Sequence, residues 1–158
     1  MSTGVCGVIY VRYQDVKKEV ELSFEFEKIA NSLKIGMKMG GNISTYVYEE
    51  YNNKKQGRGI LFELTDSPLD NYAEDLFAPE TYERIESITV RMNKVQSLLK
   101  AILEQEYITK VIMYVNYLFF DGNENIVTVK SNEFCERIIR MYHESDDPQP
   151  TLRLEIIK

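Results

Sequence analysis

The sequence predicts an α+β domain, a mainly antiparallel sheet with two or three helices, made by residues 1–158 as one unit. Three observations predict it. Short runs of alternating apolar and polar residues recur along the chain. One long stretch instead repeats its apolar residues at helical spacing. The two kinds of segment are interspersed without a regular strand-helix-strand repeat, which argues against a parallel sheet. With 158 residues, 44% of them apolar and 28% charged, the chain is large enough to bury a continuous core without metal or disulfide.

Val5 to Tyr13 reads as a first strand, rich in Val, Ile and Tyr. The apolar N-terminal stretch follows no basic region, so it does not read as a secretory leader. The next segment supports two readings. Val20, Leu22, Phe24 and Phe26 alternate with acidic and polar residues as in a strand, whereas Phe26, Ile29, Ala30 and Leu33 suit a helix. A strand leading into a helix and a continuous helix both remain open. Gly36, Gly40 and Gly41 mark a turn region. Ile43 to Tyr51 and Gly59 to Leu64 form a predicted hairpin around a polar loop from Asn52 to Gly57.

An acidic segment from Asp66 to Pro79 follows and reads as an ordered loop, bounded by Pro68 and Pro79. Pro79 suits the first turn of a helix running to about Glu106. Along it Ile85, Ile88, Met92, Val95, Leu99 and Ile102 are spaced 3-4-3-4-3, which places them on one face, read as core. Ile108 to Phe120 is a predicted strand whose aromatic run from Tyr114 also reads as core. Asp121 to Asn125 turns it into a partner strand, Ile126 to Lys130. Ser131 or Asn132 caps a helix to about Glu144 with Phe134, Ile138 and Met141 or Tyr142 inward. Thr151 to Ile157 alternates as a last strand.

Charge is distributed unevenly. Residues 63–86 carry one basic and eight acidic side chains, a net of −7 against −6 for the whole chain. Nucleic-acid binding rests on basic surfaces, so the chain is expected not to bind nucleic acid. An acidic patch favours a cationic partner instead. The most apolar later run, Val111 to Phe120, is about half the roughly 20 residues that span a bilayer, so no membrane span is expected. Cys6 and Cys135 lack metal spacing and suit a reducing compartment as small buried groups.

Signatures of chemistry are weak. His143, near the end of the last helix, reads as a surface or capping residue, since no Ser or Cys motif supplies a nucleophile for it. Gly36 to Gly41 lacks the Gly-Lys-Ser/Thr ending of a phosphate loop and reads as a turn. Gly57-Arg58-Gly59 reads as loop geometry. The carboxylates Asp66, Asp70, Glu74 and Asp75 do not follow calcium-loop spacing, so no metal site and no cofactor is expected. Two readings of the acidic segment stand side by side: a solvated loop, and a partner-binding epitope of Asp66, Asp70, Tyr72, Glu74 and Asp75 with Leu69, Leu76 and Phe77 beside them.

In overall profile, a small acidic α+β domain without a catalytic constellation, the chain resembles the bacterial immunity proteins that neutralise contact-dependent or polymorphic toxins. That class shares no motif, so the resemblance carries no residues over. It implies a cytoplasmic, non-enzymatic protein that binds a cognate toxin domain, often a nuclease with a cationic active site. A secretion chaperone with an exposed apolar groove and an enzyme whose polar groups converge only in the fold are the alternative expectations.

Overall fold

Alternation makes β1 (Val5–Val11) a central strand: Val5, Gly7, Ile9 and Val11 are buried, while Cys6, Val8 and Tyr10 are half-buried on the opposite face. It stops two residues short of the predicted Tyr13, and Arg12 N–H donates to Tyr107 O at 2.9 Å just beyond its end. The computed structural model describes residues 5–12, 16–50, 52–65, 76, 87–115, 126–144 and 152–158.

The ambiguous segment is helical throughout, forming α1 (Val16–Ser32). Phe26 and Ala30 are fully buried, and Leu22, Ile29 and Leu33 pack against the same core. A strand would have buried Val20 and Phe24 together with Phe26; the helix turns them outward, 50% and 69% exposed. Lys34 ends the helix with φ 60°, in the left-handed region. Its N–H donates to Asn31 O at 3.0 Å, and Ile35 N–H donates to Ala30 O at 2.9 Å, the paired bonds of a Schellman cap.

The reversal therefore happens at Lys34. The predicted turn at Gly36, Gly40 and Gly41 is instead part of β2 (Gly36–Glu50), with a bulge between Met39 and Ile43. Met39 N–H, at the edge of the bulge, donates to Glu27 Oε1 of α1 at 3.2 Å. The hairpin is present but tighter than expected: Glu50 pairs with Asn53, and Asn52 between them stands at φ 63°. The expected loop residues Asn53 to Gly57 belong to β3 (Asn53–Thr65), and Gly57-Arg58-Gly59 is strand rather than loop.

Helix α2 (Ile88–Leu103) begins after Ser87, extended at ψ 156°, whose Oγ accepts from Val90 N–H at 3.3 Å. A helix running unbroken from Pro79 is thereby corrected; Pro79 and Ile85 lie outside the described residues. The predicted stripe is core: Met92, Val95, Leu99 and Ile102 are at most 1% exposed. Strand β4 (Ile108–Val115) pairs with β1 from Val5↔Val115 to Tyr10↔Lys110. Thr109 is the extra residue before Val11↔Ile108, and its hydroxyl donates to Tyr10 O at 3.1 Å. Residues 116–120 of the predicted longer strand lie outside the described residues.

Strand β5 (Ile126–Lys130) is not the hairpin partner of β4. A 3-10 turn, Ser131–Glu133, leads into α3 (Phe134–Glu144), and the chain returns as β6 (Leu152–Ile157). Strand β6 is parallel to β5 and antiparallel to β4, and it separates them. The local turn chemistry of Asp121 to Asn125 carried no information about this insertion, which the helical crossover makes possible. The expected Ser131 or Asn132 cap is also displaced: Gln96 Oε1 of α2 accepts from Cys135 N–H at 2.7 Å and so serves the start of α3 from outside.

The sheet order is β2-β3-β1-β4-β6-β5, mostly antiparallel. Helix α2 lies between α1 and α3, and the three bury one face of the sheet in a single core. Within β3, residues 53–57 pair with β2 but extend past the end of β1 at Arg58↔Val11. Among the described residues no helix is long and apolar enough to cross a membrane.

Candidate functional site

Of the predicted epitope, Asp66, Asp70, Tyr72, Glu74 and Asp75 all lie outside the described residues, as do Leu69 and Phe77. What is described is the point where their segment meets the domain. Leu76 is 1% exposed, and its carbonyl accepts from Arg91 Nε of α2 at 3.0 Å. Arg91 is itself 1% exposed. A buried guanidinium must be met by acceptors, because removing a charge from water costs several kcal/mol. The helix thus presents a fixed cation to the one described residue of the acidic segment. Sequence reasoning missed Arg91, although a signal was there: it falls three residues after Ile88 and four before Val95, on the apolar face.

The second structured feature is the sheet face away from the helices. Row by row, the register aligns Lys38, Glu63, Cys6, Tyr114 and Arg153, then Leu61, Val8, Ile112 and Glu155. Tyr114, expected in the core, is half-buried here instead. Cations lie over two tyrosines of this face: Lys110 Nζ is 5.3 Å from the Tyr10 centroid and Arg153 is 5.4 Å from that of Tyr114. Lys110 also lies 4.0 Å from Glu155. Between β2, β3, β1 and β4 the face sinks into a hollow of about 430 Å³ lined by Cys6, Val8, Leu61 and Tyr114, with Lys38 and Glu63 at its rim.

Neither cysteine is an activated thiol. Burial, and then the negative charge of Glu63, push the Cys6 thiol up from its ordinary value; burial alone pushes Cys135 up. Cys135 is buried and its thiol donates to Thr89 O at 3.7 Å. His143 is exposed in the last turn of α3. A smaller crevice of about 270 Å³ between β5 and α3 has Glu133, Glu136, Arg137 and Arg140 along it, with Arg140 paired to Glu136 at 3.1 Å. Among the described residues no three His, Cys, Asp or Glu side chains are grouped to hold a metal ion.

Compared with protein-family models, with curated proteins and with solved structures, the chain matches none.

Proposed function

We propose that this chain is a cytoplasmic binding protein of the immunity type, which captures a cationic toxin domain through its acidic segment and blocks it without catalysis. The observation that carries this reading is the Arg91 to Leu76 contact. It ties Leu76, which lies within residues 63–86 of net charge −7, to a helix whose other buried residues are core, and so gives that stretch of chain one fixed point on the domain. A fixed concentration of negative charge accelerates capture of a basic protein by tenfold or more at low salt. Asp66, Asp70, Glu74 and Asp75 are the carboxylates assigned to that capture, with Tyr72 as the aromatic contact.

The test is a search for a copurifying or genetically adjacent toxin domain, followed by its co-expression with this chain. Growth is expected to be restored by the native chain. Replacing Asp66, Asp70, Glu74 and Asp75 by Asn or Gln should slow association at least about tenfold at low salt, with melting unchanged. The difference should shrink as the Debye length falls to about 8 Å near physiological ionic strength. Unprotected growth, or an association rate indifferent to both substitution and salt, overturns the reading.

A further inference from the structure

The hollow on the helix-free face is a constructed feature of the sheet. Strand β2 bulges between Met39 and Ile43, and within that bulge a side chain at Gly40 would place its Cβ 2.8 Å from Leu61 Cβ. That is closer than carbon atoms tolerate, so glycine is what allows β2 to close over Leu61 there. Bulges of this kind gather beside binding sites because they re-aim the strand locally. Glu27 Oε1 accepts from Met39 N–H and supports the bulge from α1.

The chemistry of the walls selects the occupant. Val8 and Leu61 are aliphatic, Tyr114 offers a ring, and Cys6 offers a soft, polarisable sulfur. Burial and Glu63 both keep the thiol protonated, so no charge develops in the wall. At the rim Lys38 and Glu63 stand directly across the β2/β3 pair, both exposed, with opposite charges that cancel at the mouth. A net anion or cation gains nothing from such a rim. The volume of about 430 Å³ falls within the range of about 300–1,000 Å³ typical of small-molecule sites.

We propose that this hollow is a binding site for a small neutral apolar molecule of aromatic-ring size, held among Cys6, Val8, Leu61 and Tyr114. The site is built from β1, β2, β3 and β4 and does not rest on the acidic segment, so the toxin-binding reading and this one stand or fall separately.

Indole serves as the probe on the isotope-labelled full chain. Amide NMR shifts should saturate and cluster on β1, β3 and the bulged part of β2. Alkylation of Cys6 by iodoacetamide should slow about tenfold when indole is present at ten times its dissociation constant, as mass action requires. Val8→Phe fills the hollow from the half-exposed face and should weaken indole at least about tenfold, the equivalent of 1.4 kcal/mol, with melting unchanged. Shifts that rise without saturating, shifts centred on the helices, or a Cys6 alkylation rate indifferent to indole would each overturn the proposal. The alkylation measurement needs no substitution and decides the matter even if Val8→Phe fails to fold.

Discussion

Arg91→Ala tests whether a single buried cation holds the acidic segment to the domain. The bond from Nε to Leu76 O is 3.0 Å and both residues are 1% exposed, so it is a charged hydrogen bond out of water, a class that contributes about 1.5–3 kcal/mol. Truncation also removes stem methylenes packed in the core, at about 0.8 kcal/mol each. The guanidinium's own desolvation cost disappears with it, which offsets part of the loss. A net destabilisation of about 3 kcal/mol follows, or about 6–12 °C in melting temperature at 2–4 °C per kcal/mol for a domain of this size. The local effect is more telling. Loss of a 1.5–3 kcal/mol tether raises the open population of the segment about ten- to hundredfold, at 1.4 kcal/mol per decade. A glutamate-specific protease cutting near Glu74 should register that increase against a slow background in the native chain. Melting shifted by less than about 2 °C, together with unchanged cleavage, would refute the reasoning and take with it the support for a surface-held epitope.

Lys34→Gly should stabilise the fold by about 0.5–1 kcal/mol, read by urea denaturation, because Lys34 holds φ 60° at the end of α1 where glycine carries no Cβ penalty. Val95→Asp places an unpaired charge at a fully buried position of α2 and should cost several kcal/mol in the monomer; unchanged stability would show that the stripe is not core. The raised Cys6 and Cys135 thiols bind their protons more tightly folded than unfolded. Their contribution is therefore present below the ordinary thiol value and lost as pH rises through the folded one, and Cys→Ser at both positions should flatten the alkaline limb of the pH–stability curve. Glu63→Gln should move the onset of Cys6 alkylation to lower pH, since a negative neighbour is removed.

What could be read from the sequence was whatever is decided within one segment. The period-two pattern of β1 and the 3-4 stripe of α2 each bury one face, and both appear where expected. Helix α1 was ambiguous because its apolar residues alternate from Val20 to Phe26 and follow helical spacing from Phe26 to Leu33; only the sheet beneath it decides that Phe26 goes inward and Phe24 outward. The end of α1 was misplaced because a lysine, not a glycine, occupies the left-handed position, which made Gly36 look like the stop. The neighbours of β5 were illegible for a different reason: strand order is set by the crossover through α3, and no local residue encodes it. At the candidate sites, the charge of the acidic segment was visible and its tether was not. Nothing local in the sequence names the acceptor that Arg91 meets, and the hollow depends on a bulge and on rows of residues from four strands that are far apart in the chain.

The insertion of β6 between β4 and β5 has a consequence for how the chain acquires its structure during synthesis. Strands β1 to β4 pair among themselves and can assemble once Val115 has emerged, although closing β1 against β4 joins Val5 to Val115 and is a slow, long-range step. Strand β5 emerges next but has no place in the sheet until β6, which follows it in the chain, is available to lie between it and β4. Growing from its N-terminus, the nascent domain therefore passes through a stage in which β4 is an open edge and β5 with α3 waits beside it. Trailing residues, not leading ones, complete the sheet, and loss of Leu152 to Ile157 would unseat β5 as well, leaving the edge of β4 open to pairing with other chains.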